Sequence, residues 1–442
     1  MLHAWFLCLL KQLFANGTSV RLRTICTLAV SWFTQLKRAN FYLLLLCLLA
    51  IIMYLDRVCM SVAGPRMQDA LRISPEQWGW VGTVFSFGYG IFEIPTGHWG
   101  DRFGARRILT RIVLWWSAFT VLTGAVSTYP LLLGVRFLFG AGEAGAFPIV
   151  AVAISQWFPP AARGRAFGFF IMCSQLGGAL SPLLVVPIQQ RFGWHMSFYL
   201  FGCLGVLWSA VWFWRFRDRV SEKTERPALL APWRPILLNR SLWAIMALTA
   251  SYVYSISFYQ IWLHTYLVKG RAFSEHDLSL SALPYFFGAA GNLLGGFAVD
   301  WLVPRASVKW SRRGVGMAGL LLAAISLACT ILAASHLALI ACLSLAYAGI
   351  TFQQPAVFAA CADIGGLRGG AVTAMMNTAG QVGFALSSFI FGYFVKTFGN
   401  YDAPLVPMAL LAAVGMLLWA KVDVTGTHPR NVPSLCTQNA ES

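Results

Sequence analysis

The sequence predicts an all-α membrane protein in which twelve transmembrane helices form two six-helix bundles. Three observations lead there. The chain of 442 residues is 58% hydrophobic and only 11% charged, a composition foreign to soluble domains of this length. Twelve apolar stretches reach the roughly 20 residues needed to cross a bilayer. The longest polar stretch between them, RFRDRVSEKTERPALLAPWRP at 215–235, divides them six and six.

The first six stretches lie near 41–62, 78–98, 108–128, 131–154, 165–188 and 194–214, and the second six near 241–265, 280–302, 314–334, 337–360, 370–395 and 403–420. The expected organisation is an extension at 1–39, a first bundle at 40–214, a linker at 215–240, a second bundle at 241–421 and a tail at 422–442. LHAWFLCLL near the start is apolar but short, and no small-residue cleavage site follows it. Residues 1–39 therefore read as a cytoplasmic or interfacial amphipathic extension, or as a start codon assigned too early, rather than as a signal peptide.

The net charge of +17 raises the question of an anionic partner. With both termini placed in the cytoplasm, most lysines and arginines fall on cytoplasmic segments, in the extension, the 102–111 loop, the 215–240 linker and the 305–313 loop. The opposite side holds only Arg66, Arg72, Arg191, Lys269, Arg271 and Lys396. This asymmetry follows the positive-inside rule and accounts for the charge without nucleic acid. The expected location is a cell inner (plasma) membrane, crossed many times. One chain holds all twelve helices, so a monomer in the lipid bilayer is expected.

The ten cysteines contain no CxxC and sit mostly within apolar stretches, where they fill space as small hydrophobes. The chain has no Walker loop, HExxH, GxSxG or His/Cys cluster. An enzyme, an ATP-driven pump, a metal site and a cofactor are therefore not expected.

Internal similarity points to duplication. GHWGDRFGARR (97–107) follows the second stretch and GGFAVDWLVPRASVKWSRR (295–313) follows the eighth. RGRAFGFFIMCSQLGGAL (163–180) opens the fifth stretch and RGGAVTAMMNTAGQVGFAL (368–386) the eleventh. Parallel six-helix repeats place a binding site at the interface of the halves near the midplane, with rocking of the halves giving alternating access.

Four charges lie inside the first bundle: Asp56 and Arg57 in MYLDRVCM, and Arg136 and Glu143 in the fourth stretch. A charge at the bilayer centre costs about 2.5–3.5 kcal/mol on insertion scales, so each needs a partner, a water-filled cavity or a task. Seven residues apart, Arg136 and Glu143 share a helix face about 10 Å from one another. Asp56 and Arg57 point about 100° apart, so one can face its own bundle and the other the cavity. Two structural ion pairs locking the first bundle are the competing reading. Apolar replacements of a buried pair are often neutral or stabilising, which argues against four charges kept for packing alone.

G-x-x-x-D-R-x-G-x-R-R at 97–107 resembles the signature loop of the major facilitator superfamily, over about residues 40–421. YLDR in the first stretch, RFLFGAGEAGAFP in the fourth and FYQIWLHTYLVKGRAFS in the seventh resemble its anion:cation symporter family, whose bacterial members carry galactonate, hexuronates and glucarate. The resemblance implies that Arg57 binds a substrate carboxylate, that Asp56 and Glu143 take up protons, and that Arg136 pairs a carboxylate and tunes it. Burial favours a protonated carboxylate and a nearby guanidinium an ionised one, so moving a guanidinium switches proton affinity. It further implies that Tyr89, Gln175 and Asn377 face the substrate, offering hydroxyl or amide groups to sugar hydroxyls; helix packing is the competing reading for each.

Tyr252, Tyr254, Tyr259 and Trp262 of the seventh stretch either line the cavity or form an interfacial aromatic belt. Gln353 and Gln354 stand where the second bundle would meet substrate, with Gln354 and Tyr259 taken as contacts. Glu93 is either a third protonatable site or a hydrogen-bonding group near the cytoplasmic gate. Asp101, Arg102 and Arg106 belong to the signature loop and are expected to hold that side closed. His264 replaces the proline of the family's WLPTYL-like run, which puts the local helix geometry in question.

The expected function is secondary active transport, in its sharp form the proton-coupled symport of a small organic anion such as a sugar acid. An exchanger of organic phosphate for phosphate would also want arginines in the cavity. Acids accompany both intramembrane arginines, however, which favours proton coupling. A transporter-like receptor is the reading from another class; the 215–235 loop and the tail are too short for a signalling domain.

Overall fold

The computed structural model describes residues 19–158, 160–218, 234–274, 277–365 and 369–424. Met1–Leu45 and Leu46–Ser442 form two compact units. In the first, the chain is helical from Ser19; residues 1–18 of the expected extension, most of the linker and most of the tail lie outside the described residues.

Among the described residues twelve helical spans follow one another: α1 Ser19–Ala70, α2 Pro75–Phe103, α3 Ala105–Gly124, α4 Tyr129–Trp157, α5 Pro160–Phe192 and α6 Trp194–Arg215. After a short helix at Arg234–Leu237 come α7 Arg240–Gly270, α8 Asp277–Leu302, α9 Val308–Leu332, α10 His336–Gly365, α11 Gly369–Phe398 and α12 Leu405–Trp419. Among the described residues nine of these are long and apolar enough to cross a membrane by themselves; α12 is a shorter apolar helix. α2 carries Glu93 and α3 opens on Arg106, Arg107 and Arg111, which lowers their apolar content.

Local chemistry sets the ends. Asn239 caps α7 by accepting the Ser241 amide at 2.8 Å, and Ser335 caps α10 by accepting that of Ala338 at 3.2 Å. The α2–α3 turn is made at Gly104, whose φ of 84° suits a residue without a Cβ.

Within the halves α2 packs on α4, α3 on α6, α8 on α10, α9 on α12, and α7 on α11 and α12. Between the halves α2 lies along α11 and α5 along α8. These four are the helices flanking the internal echoes of the sequence. The same places in the two repeats form the seam.

One pair of breaks repeats the duplication. α4 is interrupted directly after Glu143, with Gly145 at φ 86° before the helix resumes at Ala146. Its counterpart α10 is interrupted at Gln353 and resumes at Gln354. α7 contains two π-helical turns, Phe258–Trp262 and Tyr266–Gly270.

Candidate functional site

The break in α4 leaves Glu143 at a helix end, and close packing brings α2 to the same level. A Cβ on Gly88 would lie 2.2 Å from the Phe137 carbonyl oxygen, and one on Gly140 2.2 Å from that of Phe85. Only glycines permit this approach. It places Phe85 and Tyr89 of α2 beside the charges of α1 and α4.

Arg57 donates from Nε to Glu143 Oε1 at 2.8 Å, with Arg57 9% and Glu143 0% exposed. Arg57 Nη2 and Glu143 Oε2 are buried without hydrogen-bond partners. The guanidinium carbon stands 5.5 Å from the Phe85 ring centre and 5.3 Å from that of Tyr89, within the range of cation–π attraction. Asp56 is buried, its Oδ2 accepting from Thr120 Oγ1 at 3.4 Å while Oδ1 has no partner.

The expected carboxylate pair of Arg136 does not form. Among the described residues its guanidinium meets no carboxylate at ion-pair distance and lies over aromatic faces instead, 4.4 Å from the Phe139 centre and 5.1 Å from that of Phe85. The reason is helix geometry: seven residues of rise hold Arg136 about 10 Å from Glu143, whereas Arg57 reaches it sideways from α1. The Phe85 ring is within cation–π range of both guanidiniums.

The neutral candidates sit at the seam. Gln175 on α5 accepts from the Tyr347 hydroxyl on α10 at 3.0 Å. Asn377 on α11 donates to Glu93 Oε1 on α2 at 3.3 Å. Gln354 accepts from Asn292 on α8 at 3.1 Å and is half-buried. Gln353 is turned away, fully buried and accepting from Trp419 on α12 at 3.1 Å. The Tyr259 hydroxyl is already used, donating to the Leu343 carbonyl at 2.8 Å, and its ring packs on Tyr347 at 4.4 Å.

Tyr252, Tyr254 and Trp262 are buried too, so these four aromatics of α7 do not form an interfacial belt. Arg106 donates to the Phe213 carbonyl at 2.7 Å, and its backbone amide faces the Asp218 carboxylate; the side chains of Asp101 and Arg102 lie outside the described residues.

Sequence reasoning missed a set of ties between the halves at the end of the bundle away from the signature loop. His264 spans it: Nδ1 meets Ser61 Oγ of α1 at 3.2 Å and Nε2 meets Ser281 Oγ at 2.8 Å. Ser281 spends its proton on the Leu278 carbonyl, so Nε2 is the donating nitrogen and Ser61 donates to Nδ1. The His264 amide also points at Ser61 Oγ, 3.4 Å away, a donor that a proline there would lack. Gln68 donates to Thr265 at 2.9 Å, Trp78 to the Ile261 carbonyl at 3.2 Å, Ser388 to the Gly79 carbonyl at 2.9 Å, and Lys269 pairs with Asp69 at 2.6 Å. The histidine in the proline's place was the one signal that could have pointed there.

The family model for the Major Facilitator Superfamily matches residues 46–311. A probable sulfoacetate transporter of Cupriavidus necator is 30% identical over 406 residues, spanning 87% of this chain and 93% of the relative. The hexuronate transporter of Bacillus subtilis is 30% identical over 400 residues, 86% of this chain and 93% of the relative. Among solved structures, a bacterial homologue of the human lysosomal transporter Spinster, in an inward-facing and occupied conformation, superposes with a TM-score of 0.72 at 19% identity, covering 87% of this chain and 96% of that one. Twelve helical spans, a duplicated seam and relatives of nearly the same length agree: the chain is a multi-pass membrane transporter, not an enzyme, and belongs to the major facilitator superfamily.

Proposed function

We propose that the chain is a proton-coupled symporter of a small organic anion, a sugar acid in the first instance, working by alternating access as a monomer in the plasma membrane with both termini in the cytoplasm. One observation carries this reading. Arg57 is buried among α1, α2 and α4 with one edge of its guanidinium on Glu143 and Nη2 without a partner. The planar fork matches a carboxylate, so an incoming acid takes the free edge and competes with Glu143 for the rest. Glu143 and Asp56 take up protons as the substrate engages Arg57, and release them on the other side.

Tyr89, Gln175, Gln354 and Asn377 surround the substrate's hydroxyls, and Arg136, held over Phe85 and Phe139, keeps a second positive charge behind the acids. Tyr259 serves from behind, fixing Tyr347. The halves, 40–214 and 241–421, rock about the 215–240 linker, with Asp101, Arg102 and Arg106 closing the cytoplasmic gate. The ties at Ser61, Gln68 and Trp78 fit a state closed to the outside. The names of the sulfoacetate and hexuronate relatives support an anionic substrate.

The test is uptake into proteoliposomes of galactonate, glucuronate, galacturonate, glucarate and sulfoacetate, with and without an inward proton gradient. Gradient-dependent accumulation of one acid is the expected result; uptake driven only by counter-anion, with no response to the gradient, would replace symport by exchange.

A further inference from the structure

We propose that Glu93, together with Asn377, forms a distal subsite that selects acids carrying one negative charge over acids carrying two. This rests on the reading of Arg57 as the carboxylate anchor.

Glu93 follows Tyr89 by four residues on α2, so both lie on one helix face with about 6 Å of rise between them, close to the length of an extended six-carbon acid. The Tyr89 ring stands against Arg57. Proceeding along that face from the anchor, the next ionisable group is Glu93. It is 1% exposed; one oxygen accepts the Asn377 amide and the other has no partner. Among the described residues no lysine or arginine pairs with it, unlike Glu143 with Arg57. Buried polar atoms in folded proteins are satisfied as a rule, and a carboxylate kept only to pack α2 against α11 would have both oxygens engaged. An open acceptor between two half-bundles suits a ligand that brings a donor.

The chemistry of the subsite follows from its sign. A terminal hydroxyl of a sugar acid donates to the free Glu93 oxygen and accepts from the Asn377 amide. A second carboxylate, sulfonate or phosphate at the same place would face an unpaired carboxylate with no cation to offset it. Discrimination of this kind works by repulsion of the wrong ligand as much as by attraction of the right one.

Matched pairs test this: gluconate against glucarate, and galactonate against galactarate, which differ only in a terminal hydroxymethyl or carboxylate. Affinities would be measured by tryptophan fluorescence of the purified protein at alkaline pH, so that the buried Glu93 carboxylate is ionised. The wild type is expected to bind the better monoacid at least about tenfold more tightly than its diacid partner, the scale that one unscreened like charge supplies. Glu93→Gln keeps the shape and should bring that ratio to near unity by strengthening the diacid. Asn377→Asp, which adds negative charge beside Glu93, should widen it. A wild type that binds the diacid as tightly, or a ratio unchanged in both variants, would overturn the subsite. Arg57→Lys separates the two ideas. It should weaken both acids in parallel, and unaltered affinity for both in that variant would sink the anchor and the subsite with it.

Discussion

α4 and α10 hold the same place in the two halves and both break at mid-length, but they carry different chemistry to the break. α4 presents Glu143, ion-paired to Arg57, with Arg136 two turns earlier; α10 presents Gln353 and Gln354, whose amides meet Trp419 and Asn292. One scaffold has been used twice, once with charge and once without. Charges that change partner can couple a proton to a substrate, whereas neutral amides recognise without titrating. In the proposed reading coupling belongs to the first half, while recognition of the uncharged part of the substrate draws on both, through Tyr89 and Gln175 of the first and Gln354 and Asn377 of the second.

Arg57→Ala should break the charged break most severely. It removes the anchor and leaves Glu143 unpaired, a loss on the scale of about 3–5 kcal/mol for one partner of a buried pair, read as loss of measurable acid binding in equilibrium competition. Glu143→Gln makes α4 chemically like α10. Accumulation against a gradient should disappear while acid-for-acid exchange in preloaded vesicles persists; retained uphill uptake would refute the contrast between the two helices. Gly88→Val attacks the scaffold shared by the site, since its Cβ would lie 2.2 Å from the Phe137 carbonyl oxygen. Overpacking of this kind costs about 1–3 kcal/mol and should lower the midpoint of thermal unfolding in detergent. Gln354→Ala should weaken binding by severalfold, about 1 kcal/mol for a lost hydrogen bond, with the proton dependence of transport unchanged. The smallest effect belongs to Asp69→Asn, which removes an exposed partner of Lys269; exposed pairs contribute little, and uptake should match the wild type.

How far the sequence foretold these two helices is instructive. The charges of α1 and α4 stood out because an ionisable residue in an apolar run is costly, and the signature loop and echoed segments marked the fold and its seam. Pairing did not stand out. Glu143 and Arg136 share a helix and invite each other in sequence, yet Arg57, from another helix, is the residue within reach. Glu93 and Asn377 meet across 284 positions, a contact that helical spacing does not encode. Tyr347 looks like any aromatic in AYAGITF, and only tertiary packing turns its hydroxyl toward Gln175. The choice between Gln353 and Gln354 depended on a one-residue break that amide-bearing helices do not announce.

The π-helical turns of α7 carry a consequence for how this chain can vary. A π-turn is an α-helix holding one extra residue. Deleting a single codon within Phe258–Trp262 would restore regular winding with little change of facing beyond it, whereas a deletion in the regular turns of Arg240–Ser257 would rotate everything beyond it by about 100°. His264 and Thr265 would then swing away from Ser61 and Gln68, which they now meet. In-frame single-residue deletions within the π-turn should therefore be better tolerated than deletions in the regular turns before it, a difference read as protein level in the membrane and uptake.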